Sequence, residues 1–115
     1  MKLLGTRLED TFRSQLQRSH EALFLKRENP RLLKSVCSAF PQTRSAYVLH
    51  WIPEQGEDIY TVLVNDNAVA TFELSRFDED IVSPNKVLSI EEYKKNLKIN
   101  KQIQLAVALD LAASL

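Results

Sequence analysis

Between Tyr47 and Leu74 the chain runs through three apolar, alternating stretches separated by turn chemistry, and this pattern constrains the fold more than any other feature. The stretches cover residues 47–52, 58–64 and 68–74, each with the two-residue period of a β-strand. Pro53-Glu54-Gln55-Gly56 fills the first gap, where Pro presets its own dihedral and Gly tolerates a left-handed one. Asn65-Asp66-Asn67 fills the second gap. A three-residue loop there sets Tyr60, Val62 and Val64 opposite Phe72, Ala70 and Ala68, whereas a two-residue loop wastes the apolar match. Three residues are therefore expected, with Asn67 in the left-handed position. The opposite face carries Ile59, Thr61 and Leu63 beside Val69, Thr71 and Glu73. That mixture predicts a sheet packed by helices on one side and half exposed on the other.

Helical periodicity flanks the strands. Thr6 and Glu9 have the spacing of a capping box, which opens a helix predicted over residues 7 to about 26. Leu8, Phe12, Leu16, Ser19 and Leu23 fall on one face of it. Asn29-Pro30 restarts the chain, since Asn caps a helix and Pro at its first position loses no needed hydrogen bond. Leu32, Leu33, Val36, Cys37 and Phe40 form the buried stripe of this second helix. Residues 77–87 read as an irregular acidic loop, after which Ser89 and Glu92 form a second capping box. Lys94, Lys95, Lys98 and Lys101 coat one side of the C-terminal segment, and Asn96 or Asn100 is the expected break within it. From Leu105 onward the residues are almost all apolar, which predicts a helix buried on every side. The expected fold is α+β, a three-stranded antiparallel β-meander packed with N-terminal and C-terminal helices in the order α-α-β-β-β-α(-α). It forms a single domain over residues 1–115.

A chain of 115 residues buries a core without covalent staples. Cys37 is its only cysteine, so no intramolecular disulfide forms, and its apolar surroundings suit a small core residue in a reducing compartment. The apolar patch at residues 1–7 is too short for a signal peptide, and no run approaches the length of a membrane span. A cytoplasmic location without membrane association is the expectation.

Motifs for chemistry are sparse. His20 and His50 are the only histidines, nothing in the spacing pairs either with Cys37, and no catalytic residue is assigned. No two histidines or cysteines stand at ligand spacing, and Asp78-Glu79-Asp80 lacks the glycine and distal acid of a calcium loop. The glycines are Gly5 and Gly56, too few for a phosphate-cradling loop. Neither a metal nor a cofactor is expected. Asp110 interrupts the apolar C-terminal helix and needs either a partner, for which Arg76 is a candidate, or a solvent opening. A paired structural acid is the favoured reading over a general base in a pocket, since no second catalytic group accompanies it.

The zero net charge conceals a segregation. Residues 1–50 hold nine Lys and Arg against four acids, for a balance of +5, and residues 93–115 balance at +3. Residues 51–92 hold ten acids against Arg76 and Lys86, for a balance of −8. The acids concentrate in turns, at Glu54, Glu57 and Asp58 and at Asp78, Glu79 and Asp80, where they form either an ordinary solvated surface or one acidic rim. Trp51 and Tyr60 lie on adjacent strands beside the first of these turns. On the packed face of the sheet the two aromatics are core, which is the favoured reading of Trp51 taken alone. Beside the acidic turns they are anchors within a charged surround, a protein-binding surface where complementary charge speeds encounter. In size, single-domain α+β build and acidic loops, the chain resembles immunity proteins of bacterial toxin–immunity systems, including those of contact-dependent growth inhibition. That group has no defining motif, so the resemblance assigns no residue. It implies an inhibitor whose partner is a basic, nuclease-type toxin domain. The alternative is a nucleic-acid-binding regulator using Arg7, Arg13, Arg18, Lys26, Arg27, Arg31 and Lys34 of the N-terminal helices. No stacking motif or zinc site accompanies those cations, and the acidic middle third repels phosphate.

Overall fold

A computed structural model describes residues 2–115. Its helices flank an antiparallel meander of four strands in the order β1-β2-β3-β4: β1 (Ala46–Glu54), β2 (Glu57–Val64), β3 (Ala68–Ser75) and β4 (Lys86–Ser89). The β2–β3 hairpin has the expected register, with Tyr60 opposite Phe72, Val62 opposite Ala70 and Val64 opposite Ala68. The left-handed residue of its loop is Asn65, at φ 54°, rather than Asn67. Asn65 is held there because its side-chain carbonyl accepts hydrogen bonds from the backbone N–H groups of Arg44 and Ser45, at 2.7 and 3.2 Å.

The fourth strand corrects the three-stranded expectation. β4 pairs Leu88 with Val69 and Lys86 with Thr71, taking residues expected to be loop and helix entry. Four residues give too little alternation to announce a strand, and pairing with β3 supplies what local pattern lacks.

The sheet is also covered on both faces, not one. α1 (Arg7–His20) and α4 (Ile99–Ala113) lie on the face carrying Tyr47, Leu49, Leu63 and Val69, where Leu16, Leu105, Val107 and Leu111 complete a core cluster. On the other face α2 (Pro30–Ala39) packs Leu32 and Val36 onto Val62, Val64, Ala70 and Phe72. The chain crosses from one face to the other along the outer edge of β1. There α1 gives way to a π-helical turn over Glu21–Leu25, which sends Leu23 into the second cluster. The helix expected over residues 7 to about 26 is thus helical throughout from Arg7 to Leu25, with its last turn widened to π geometry.

The capping signals behave as read. Thr6 and Glu9 form their box, and the Glu9 carboxylate also accepts from the backbone N–H groups of Leu4 and Gly5, which holds its pKa below the usual carboxylate range. Asn29 caps α2, with Leu32 N–H donating to its side-chain oxygen at 3.2 Å. Ser89 and Glu92 cap α3 (Ile90–Lys94), and Asn96 at φ 67° marks the break before α4. α4 is not buried on every side: Ile99, Asp110 and Ala113 face solvent. Asp110 pairs with Arg13 at 2.9 Å, tying α4 to α1, and not with Arg76. Cys37 is half-buried in α2. Among the described residues no helix is long and apolar enough to cross a membrane.

Candidate partner-binding surface

The tight turn between β1 and β2 organises one end of the sheet. Glu54 stands opposite Glu57, leaving Gln55 and Gly56 as the loop, and Gly56 takes φ 84°. The ring of Phe77 lies over Gly56, its Cε2 2.8 Å from where a Cβ would stand. The Arg76 N–H donates to the Gly56 carbonyl at 2.8 Å, so the chain after β3 is hooked onto this turn.

A bulge decides which face Trp51 occupies. Val48 pairs with Val62 and His50 with Thr61, leaving Leu49 as the extra residue. Trp51 therefore falls opposite Tyr60, on the α2 side of the sheet. The two rings lie parallel, 6.2 Å apart between centroids. The Trp51 indole N–H donates to Asp58 Oδ1 at 3.0 Å, and Arg76 grips the same carboxylate through Nη2 at 2.8 Å and Nε at 3.1 Å. The Arg76 hydrogen bonds, with the Trp51 bond second, hold the Asp58 carboxyl below its ordinary pKa. Asn29 Nδ2 donates to the Tyr60 hydroxyl at 3.2 Å, while burial raises the pKa of that phenol. Trp51 remains 55% exposed despite these contacts, so its ring is oriented but not covered.

The second group of acids is pinned by one side chain. Arg31 of α2 donates to Asp78 Oδ1 at 2.8 Å, to the Asp80 carbonyl at 2.7 Å and to the Ser75 carbonyl. Val82 N–H donates to the buried Ser35 hydroxyl at 3.1 Å, fixing the far end of the segment. The loop expected to be irregular is consequently a strap held against α2.

Of the residues expected at a partner surface, the structure joins Trp51, Asp58 and Tyr60 in one bonded cluster and places Glu54 and Glu57 on the adjoining turn. Asp78, Glu79 and Asp80 follow on the strap, joined to the turn through Arg76 and Phe77. The charges of Asp58 and Asp78 are compensated within the chain, by Arg76 and Arg31. Among the described residues, Glu54, Glu57, Glu79 and Asp80 have no ion-pair partner. Arg13 and Arg31, two of the cations read as a nucleic-acid footprint, are committed to the internal pairs with Asp110 and Asp78.

Phe77 was not among the residues singled out in the sequence. It is 88% exposed, and its signal was an aromatic residue between Arg76 and Asp78 where no apolar periodicity called for one. The two histidines lie apart from this cluster. His20 packs between Phe24 and Tyr47, with ring centroids 4.9 and 5.1 Å away, and His50 is exposed on β1. Among the described residues no group of three or more His, Cys, Asp or Glu side chains is placed to hold a metal ion. Comparison with known proteins finds no matching family model, no matching curated protein and no matching solved structure.

Proposed function

We propose that this protein is a small cytoplasmic inhibitor without enzymatic activity, which binds a basic protein partner through the β1–β2 turn and the strap beside it. A nuclease-type toxin domain is the partner that fits, because proteins that grip nucleic acid present cationic surfaces, and the chain then acts as an immunity protein. One observation carries the reading. Two exposed aromatic rings, Trp51 and Phe77, stand at the same end of the sheet as Glu54, Glu57 and Glu79, three carboxylates with no ion-pair partner among the described residues.

The arrangement has the two parts that macromolecular recognition uses. Large, oriented aromatic rings supply most of the binding energy, and an acidic surround steers a cationic partner without being consumed by internal ion pairs. Orientation matters for affinity: the Asp58 and Tyr60 contacts already restrict Trp51, so less side-chain freedom is lost on docking.

Capture from the native host tests this. Tagged wild-type protein and the triple variant Glu54→Lys/Glu57→Lys/Glu79→Lys are compared as baits, with captured proteins identified by mass and isoelectric point. A basic protein retained by the wild type and lost from the variant is the expected result. Equal retention by both baits removes the acidic surface from the account.

A further inference from the structure

The outer edge of β1 is covered along half its length only. The Ala46 N–H reaches His20 Nδ1 at 3.5 Å and the Val48 N–H reaches Ser19 Oγ at 3.3 Å, so the end of α1 takes the first outward donors. Gln104 of α4 donates to the Leu49 carbonyl at 3.0 Å. Beyond the bulge both helices leave the edge, and His50, Trp51, Ile52, Pro53 and Glu54 are all exposed.

Register identifies the groups left open. A two-residue turn is closed by a hydrogen-bonded pair, here Glu54 with Glu57, and the pairs alternate along the hairpin. Ile52 is therefore bonded inward to Ile59, while Trp51 and Pro53 direct their main-chain groups outward. Pro53 has no N–H to offer. One donor and one acceptor of Trp51, with the Pro53 carbonyl, remain without a partner among the described residues.

Beside this open stretch lies an apolar groove of about 600 Å³, between β1 and the π-helical turn. Ala22, Leu23, Leu32, Val48, Trp51 and Tyr60 line it, and Glu28 stands at its rim. A strand laid along β1 directs alternate side chains to the α2 side of the sheet, which is where the groove opens. Open main-chain groups and a pocket for an alternate side chain are the two requirements of strand addition. Glu28, Glu54 and Glu57 around the stretch have no ion-pair partner among the described residues, so they complement a cationic segment.

We infer that the His50–Glu54 edge of β1 takes an extended segment of the partner protein as an added strand. The segment places an apolar side chain in the groove beside Trp51 and carries Lys or Arg next to it. This rests on the protein-binding reading above and names the mode of contact.

A library of random dodecapeptides is selected on the intact chain, and an enriched peptide is titrated by fluorescence anisotropy against wild type, Ala22→Arg and Glu28→Lys. The expected peptides alternate apolar residues with Lys or Arg, bind with slowed hydrogen exchange at the Trp51 amide, and weaken roughly tenfold with Ala22→Arg, which fills the groove. Glu28 is exposed and its side chain makes no hydrogen bond or ion pair among the described residues, so Glu28→Lys weakens binding in the same direction even if Ala22→Arg lowers stability. Failure to enrich any peptide, enrichment of helical spacing, or binding indifferent to both variants overturns the strand-addition mode. Those results leave the capture experiment untouched, whereas equal capture by the charge-reversed bait sinks the broader reading whatever the peptides do.

Discussion

Trp51 shows how one side chain joins fold and surface. Its indole N–H shares Asp58 with Arg76, its ring lies parallel to Tyr60, and more than half of its area faces solvent. Removing it leaves Arg76 and Asp58 paired and opens no buried cavity. Trp51→Ala is expected to lower folding stability by only about 1 kcal/mol while weakening partner binding by about 2 kcal/mol or more. Chemical denaturation and titration calorimetry separate the two effects. Arg31 is the converse case, a side chain whose work is internal. It joins α2 to two groups of the strap and to the last carbonyl of β3, so Arg31→Met frees the Asp78 charge and releases residues 78–81. A loss of roughly 1–3 kcal/mol and new protease cleavage within the strap are expected. Cleavage unchanged from wild type would mean that Ser35 and Val82 suffice to hold it.

At the scale of elements, the junction of α1 with β1 carries a titratable group. His20 sits between Phe24 and Tyr47, and its Nδ1 accepts the Ala46 N–H, an arrangement that requires this nitrogen unprotonated. Burial pushes its pKa below the ordinary 6.5. The unfolded chain therefore binds the proton at a pH where the folded chain does not, and stability falls as pH drops through 6.5 towards the folded value. His20→Gln, which keeps an acceptor and does not titrate, is expected to flatten this slope in thermal melts across about pH 5.5 to 7.5. A slope retained by the variant would assign it to another group. The same junction marks where sequence reasoning stopped. Caps at Thr6, Asn29 and Ser89 and the Tyr60–Phe72 register were legible because each follows from local spacing. The π-helical turn and the second covered face were not, because Leu8, Phe12, Leu16, Ser19 and Leu23 suit one uninterrupted helix. The bulge at Leu49 was equally silent, yet it alone puts Trp51 opposite Tyr60. β4 depended on a partner strand rather than on its own four residues. The acidic clusters were visible as a list of residues. Which of them keep a free charge depended on where Arg31 and Arg76 reach across the fold.

For the whole molecule, the sequence segregation of +5, −8 and +3 becomes a smaller, better defined asymmetry. Internal pairs absorb Asp58, Asp78 and Asp110, and the acids of the turn and strap without an ion-pair partner among the described residues lie at the end of the sheet that carries Trp51 and Phe77. In the function proposed above, this end of the molecule, and not the cationic helices, meets the partner. Titration of the captured partner with wild type and with Glu54→Lys/Glu57→Lys/Glu79→Lys, at low and at physiological salt, tests it most directly. A loss of affinity of roughly tenfold or more is expected in the variant, larger at low salt where unscreened charge counts most. Affinity that is equal for the two proteins at both salt concentrations would contradict it.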